Sequence, residues 1–207
     1  MHTKPAPTRP PSFGAAFPSV LAAAREDAPW AYQRLFEWLG GPVAGYLRGQ
    51  GSDDPDGLTN DVFLRAFTHL GAFSGDEEHF RSWVFTIAHN VLADDRRRRR
   101  RRPTIADHPP VEGASAHSTE SEALSRLGTE RVDALLSQLA PDQRDVLLLR
   151  IVADLTVEQV AQTLGKAPGA VKQLQRRGLA TLRRRLSESP GGAGHTPSVS
   201  VGVHVPR

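Results

Sequence analysis

Trp83, His89 and Asn90 stand in one stretch, FRSWVFTIAHNVLADDRRRRRRRP (residues 80–103), that begins as an apolar helix and ends in an unbroken arginine run from Arg96 through Arg102. An indole, an imidazole and a carboxamide at these intervals can approach one edge of a helix, with guanidinium charge farther along. That combination suits an unpaired nucleic-acid base. Stacking on an aromatic ring contributes about 1–3 kcal/mol per base, and an asparagine amide can pair with a splayed-out base edge. The same residues also admit a plain structural account, in which Trp83 is core, Asn90 is a surface amide and the arginines are a solvated helix end or a loose basic arm.

A second set of residues carries chemistry further along. Residues 156–186 read as a short helix, a tight turn at Gly165 and a longer helix. This is the spacing of a helix-turn-helix, whose second helix lies in a major groove. In that second helix Val171, Leu174, Gly178, Leu179 and Leu182 fall on one side, able to pack on preceding helices. Lys172, Gln173, Arg176 and Arg177 share the opposite side. These side chains can bond guanine or adenine edges and phosphates. The competing account is a charged solvent face on an ordinary helical hairpin.

The elements that must position these residues follow from apolar spacing. Leu21, Ala24 and Ala28, then Trp30, Leu35, Phe36 and Leu39, recur at helical intervals until Gly40, Gly41 and Pro42 interrupt; Val43, Tyr46 and Leu47 resume the pattern. Leu58, Val62, Phe63, Ala66, Phe67 and Leu70 form a further stripe closed by Gly71. Phe80, Trp83, Val84, Ile87, Val91 and Leu92 form the stripe that runs into the arginines. After the proline- and serine-rich residues 103–121, helical spacing returns with Leu124, Leu127, Val132, Leu135, Leu136 and Leu139. Pro141 stands at the next helix start, ahead of Val146, Leu147, Leu149, Ile151 and Val152. Thr156 with Gln159 matches a capping box, Gly165 ends that helix, and Pro168 opens the last one. The expected fold is all-α: two small helical domains, 18–102 and 122–186, a flexible linker at 103–121, and disordered tails at 1–17 and 187–207. Residues 198–205 alternate valine with small or polar residues, a pattern that could add a strand to a partner.

Composition narrows the function classes. The chain has 207 residues, no cysteine and a formal net charge of +3, with the basic side almost all arginine. The sequence pI of about 9.8 is compatible with a polyanion partner. Without cysteine there is no disulfide framework and no thiolate metal site, which fits a reducing cytoplasm. No apolar run approaches the roughly 20 residues that span a bilayer, and the proline-rich start lacks a signal-peptide core. His69, His79 and His89 are ten apart and make no metal set, Asp94 and Asp95 adjoin arginines, and there is no glycine-rich phosphate loop. Neither an enzyme nor a cofactor is expected.

Taken together, the motifs resemble the sigma-70 family of bacterial sigma factors, in the compact extracytoplasmic-function (ECF) group. GLTNDVFLRAF resembles the family's polymerase-binding helix, and FRSWVFTIAHNVLADDRRRR its promoter-melting helix. LAPDQRDVLLLRIVADLTVEQVAQTLGKAPGAVKQLQRRGLATLRRRL resembles the region-four signature. The resemblance implies that Asp56, Leu58, Asn60, Asp61, Phe63 and Arg65 bind the polymerase. It implies that Trp83, His89, Asn90, Arg96 and Arg97 handle the minus 10 element, and that Lys172, Gln173, Arg176 and Arg177, in a helix-turn-helix at 156–177, read the minus 35 duplex. The implied partners are the RNA polymerase core, through the clamp of its largest subunit and the flap of its second, together with promoter DNA and, as a further candidate, an anti-sigma factor. Departures from the pattern are Gly57 where an acidic residue is usual, Ala167 and Ala170 where hydroxyl residues are common, and Leu174 and Gln175 where Arg and Leu are frequent. A stand-alone helix-turn-helix regulator and a protein-binding adaptor are the alternatives that residues alone leave open.

Overall fold

The computed structural model describes residues 12–101 and 120–188, with side chains from 12 to 101, at 128 and from 130 to 188. The linker at 103–119, Arg102, the valine-bearing residues 198–205 and Leu124 and Leu127 as packing residues lie outside what is described. Eight α-helices account for most of the described chain, and no strand occurs among those residues.

The first group comprises α1 (Phe17–Arg25), α2 (Pro29–Gly49), α3 (Pro55–Thr68) and α4 (Glu77–Arg101). The second comprises α5 (Glu120–Ser137), α6 (Pro141–Ile151), α7 (Val157–Leu164) and α8 (Pro168–Glu188). None of the described helices is long and apolar enough to cross a membrane.

α2 corrects one expectation. It runs unbroken through Gly40, Gly41 and Pro42. A proline inside a helix costs about 3 kcal/mol, but Leu35, Trp38, Leu39, Val43, Tyr46 and Leu47 are buried on both sides of it. Burying a large apolar side chain contributes about 1.5–3 kcal/mol, so the continuous apolar stripe outweighs the break. Trp30, Phe36 and Ile151, counted among the apolar periodicities, are exposed. α3 stops at Thr68, and Gly71 sits inside a 3₁₀ turn, Leu70–Ala72, instead of closing the helix.

The amino-terminal boundary also differs from expectation, because residues 12–17 are folded. A 3₁₀ turn, Gly14–Ala16, leads into α1, and Phe17 is buried. Phe13 meets the Trp38 ring edge-on at 5.1 Å between centroids, and Phe17 meets Phe80 at 5.7 Å. Two aromatic anchors give these residues apolar surface to bury, which the prolines before them cannot supply.

Buried residues of both helix groups form one apolar cluster, from Phe17 to Val171. α4 packs on α7, and α2 on α5 and α6. Polar contacts mark this seam. Gln50 Nε2 donates to Asp145 Oδ1 at 2.5 Å, Arg96 donates to the Gln50 carbonyl at 2.6 Å, and the Thr86 and Thr163 hydroxyls lie 3.0 Å apart.

Candidate nucleic-acid interface

α4 begins where Asp76 Oδ1 accepts from His79 N at 2.9 Å, satisfying one of the helix's otherwise unpaired first-turn donors. The same oxygen lies 2.7 Å from His79 Nδ1, and these bonds hold the Asp76 carboxyl below the usual carboxylate range. Phe80, Val84, Phe85, Ala88, Val91 and Leu92 are buried. At 100° per residue, positions seven apart return to nearly the same face, so Trp83 and Asn90 align, with Ile87 between them.

These three side chains form one wall of a pocket of about 350 Å³. The rest of the lining is Phe73 and Ala72, which precede α4, with Arg65 and His69 from the end of α3. Phe73 lies 5.1 Å from Trp83 between ring centroids. Asp94, one turn beyond Asn90, accepts from Arg65 at 3.2 Å and from Arg97. The Arg97 bond, then the Arg65 bond, hold its carboxyl below the ordinary range. A carboxylate between two guanidiniums fixes both along the pocket rim while leaving net positive charge there.

Several sequence-predicted residues stand elsewhere. His89 does not share the edge of Trp83 and Asn90, because six residues rotate it about 120° away on the helix. It is half-buried, with Nδ1 3.1 Å from the Tyr46 hydroxyl. Burial pushes its imidazole below the ordinary value, Arg96 adds to that, and Asp145 opposes it. Arg96 also points away from the pocket, to the carbonyl and side-chain oxygens of Gln50. Arg97, seven residues past Asn90, falls on the same helix edge as Trp83 and Asn90. Arg99 is tied to Asp53 and Asp95, so part of the arginine run is held by ion pairs rather than loose.

On α3, Leu58 and Phe63 are only 5% and 2% exposed, so they offer a partner almost no surface. They belong to the core stripe. Asp56 and Asn60 are exposed and Asp61 is half-exposed, whereas Arg65 faces the pocket. The apolar side chain that does project is Leu64, at 67% exposure. Sequence reading passed over it because it falls outside the buried stripe, and that same register was the available signal. Phe73 was missed for a different reason: it sits in a loop with no period, flagged only by Gly71 and Gly75 around it.

The second surface is α8. Val171 and Gly178 are buried, and Leu174, Leu179 and Leu182 are half-buried. Gly178 is close enough to Leu147 that a Cβ there would sit 2.8 Å from its Cδ1. Lys172, Gln173, Arg176 and Arg177 are all exposed on the other side. The angle of α8 is set by α7. Thr156 Oγ1 accepts from Gln159 N at 3.2 Å, and Gln159 Oε1 accepts from Thr156 N at 2.8 Å. Gly165 ends α7 with φ of 62°, a left-handed conformation that costs glycine least. Lys166 bridges the turn to Asp142 of α6 at 3.0 Å. Among the described residues, no group of three or more His, Asp or Glu could hold a metal ion.

Comparison with known proteins agrees with this division. Residues 35–102 match the model of Sigma-70 region 2, and residues 129–182 that of Sigma-70, region 4. The ECF RNA polymerase sigma factor ShbA of Streptomyces griseus is 30% identical over 141 residues, covering 66% of this chain and 74% of ShbA. The ECF RNA polymerase sigma factor BldN of Streptomyces coelicolor is 29% identical over 190 residues, covering 90% of this chain and 71% of BldN. Among solved structures, CnrH in complex with the cytosolic domain of CnrY superposes with a TM-score of 0.63 at 24% identity, over 84% of this chain and 99% of CnrH. The sigma factor RpoE of Bartonella quintana, solved with the anti-sigma factor NepR, gives 0.56 at 20% identity, over 76% of this chain and 98% of RpoE. These two likenesses establish the fold.

Proposed function

The chain belongs to the sigma-70 family, in its ECF group, and from that premise we propose that it is a promoter-specificity subunit that binds core RNA polymerase and directs initiation at minus 10 and minus 35 elements. The observation that carries this reading is the open pocket lined by Trp83, Asn90 and Phe73, in a chain that also exposes the basic face of α8. An unpaired base entering the pocket stacks on an indole and meets the Asn90 amide, with Arg65 and Arg97 at the rim for its phosphates. Opening the duplex then needs no chemical step. Unstacking a base costs a few kcal/mol, and stacking in the pocket returns about 1–3 kcal/mol per base.

Lys172, Gln173, Arg176 and Arg177 read the upstream duplex through base edges and phosphates. Core polymerase docks on the outer face of α3, where Asp56, Asn60 and Asp61 give polar contacts and Leu64 supplies the apolar anchor in place of the buried Leu58 and Phe63. The region boundaries in this reading are 18–102 and 122–186, joined by the linker, and the protein works in the cytoplasm beside polymerase. An anti-sigma protein is a further partner. The subunit contributes binding energy, not catalysis.

The test is transcription in vitro from a defined promoter with added core enzyme. Stoichiometric association and promoter-dependent transcripts are expected. A chain that ignores core polymerase, or binds the duplex equally well without it, overturns the reading.

A further inference from the structure

Part of the pocket's lining comes from outside α4, and the Phe73 carbonyl is held by a residue of α1, which precedes the sigma region 2 match altogether. Phe73 leaves the 3₁₀ turn in extended conformation, and the loop continues through Gly75 at φ of 150°. A Cβ on Gly75 would lie 2.8 Å from His79 Cβ, so the loop passes too close to α4 for any larger residue. On its other side a cleft of about 510 Å³ separates the loop from α1, lined by Phe17, Leu21, Arg25, Ser74 and Glu77 among others. That empty space leaves the loop room to shift.

Two side chains span the cleft's ends. Arg25, the last residue of α1, donates to the Phe73 carbonyl. Glu77, at the start of α4, accepts from Ser12 Oγ at 2.9 Å, Phe13 N at 3.1 Å and Gly14 N at 2.9 Å. A series of rings joins the same points: Phe13 on Trp38 at 5.1 Å, Trp38 on Phe80 at 6.3 Å, Phe80 on Phe73 at 5.3 Å and Phe73 on Trp83 at 5.1 Å. Arg25 is exposed and Glu77 half-exposed, and surface polar contacts of this kind add little to global stability. Their effect is local.

We infer that Arg25 and Glu77 are positioning residues for promoter reading: Arg25 ties the loop before α4 to α1 and Glu77 ties the start of α4 to residues 12–14, and together they fix the Phe73 ring against Trp83 and so set which base the pocket prefers. This rests on the reading of the pocket as the holder of an unpaired base. Pre-organising a wall before the base arrives removes an ordering cost that would otherwise reduce the preference for the best-fitting base.

The test uses holoenzyme reconstituted from core polymerase and the full chain, with Arg25→Gln, Arg25→Lys, Glu77→Gln and Asn90→Ala compared with wild type. Forked promoter templates carry each of the four bases in turn at each opened position, and dissociation constants are read. In Arg25→Gln and Glu77→Gln the ratio of best to worst base is expected to fall about two- to tenfold at one position. Affinity for core polymerase stays the same, and Arg25→Lys recovers part of the ratio. If Asn90→Ala lowers the ratio while Arg25→Gln and Glu77→Gln keep it, the loop supports itself and the inference fails, with the pocket reading intact. If Asn90→Ala leaves every ratio unchanged as well, the pocket reading fails too. Loss of core affinity in step with base preference would mark Arg25 and Glu77 as merely structural and also overturn the inference.

Discussion

Around α4 the aromatic and amide side chains line a pocket of about 350 Å³ together with Phe73, which packs on Trp83, and the end of α3. Along α8 the lysine, glutamine and arginines project from a convex helix surface whose other side is seated on Leu147 through Gly178. In the function proposed above, the contrast follows from what each surface meets. An unpaired base offers two flat faces and a polar edge, so holding it requires enclosure, with a ring on one side and an amide at the edge. An intact groove offers only edges and phosphates, so a row of long side chains on one helix face suffices. The two surfaces also differ in what holds them in place: packing and ion pairs around α4, caps and a glycine turn before α8.

The strongest way to break this comparison is to cross the two sites. Asn90→Ala is expected to weaken binding of holoenzyme to a single-stranded minus 10 oligonucleotide by about 1–3 kcal/mol, and to leave duplex binding at the upstream element unchanged. Arg176→Ala is expected to do the reverse, with a loss of about 1–3 kcal/mol at the upstream duplex. Asn90 is exposed and Arg176 is exposed, so neither substitution opens a cavity. Fluorescence anisotropy with the two DNA forms separates the effects. Equal losses on both templates from either variant would mean that the division between pocket and bare helix has no functional content.

A smaller effect sharpens the α8 side. The capping box at Thr156 and Gln159 sets where α7 begins, and through the Gly165 turn it sets the angle of α8. Thr156→Ala removes the hydroxyl acceptor and should cost about 1 kcal/mol of stability in thermal unfolding. Upstream duplex affinity should fall with it while open-strand binding holds. A variant with unchanged unfolding midpoint would show that tertiary packing of Val160, Ala161 and Val171, all buried, sets the turn without the cap.

What the sequence disclosed and what it hid divide along the same line. The α8 face, the capping box, Gly165 and the buried stripes of α3 and α4 were all readable, because each depends on spacing within one helix. The pocket was only half readable. Trp83 and Asn90 lie seven apart on one helix, but Phe73 reaches them from a loop, and nothing in local periodicity says which loop residue faces a helix across space. Placing His89 and Arg96 with the base-reading set overlooked their rotation about the α4 axis, which the residue count alone would have given. The folding of residues 12–17 was hidden by the prolines before them, since its cause is the distant Trp38 and Phe80. The continuity of α2 through Pro42 was likewise decided by burial on both sides of the break rather than by local propensity.

The smallest expected effect concerns the seam that keeps both surfaces in one body. His89 sits half-buried there with the Tyr46 phenol at 3.1 Å, Arg96 from its own helix, Gln50 just past the end of α2 and Asp145 from α6. Burial pushes the phenol well above its ordinary value, so Tyr46 stays neutral and can donate to the unprotonated imidazole. Burial pushes His89 the other way, below its ordinary value, with Arg96 adding to the shift and Asp145 opposing it. An unfolded histidine titrates near about 6.5, so below that pH the unfolded chain takes up a proton that the folded chain still refuses. Stability from the neutral imidazole is therefore full above about 6.5, falls as pH drops through that value, and stops falling once the folded histidine is itself protonated. Denaturant unfolding from about pH 8 down to about pH 5 should show a steeper fall in midpoint for the wild type than for His89→Gln, with the two curves running parallel at the alkaline end. Parallel curves over the whole range would remove His89 from the seam's energetics and leave Gln50, Asp145 and Arg96 as its polar support.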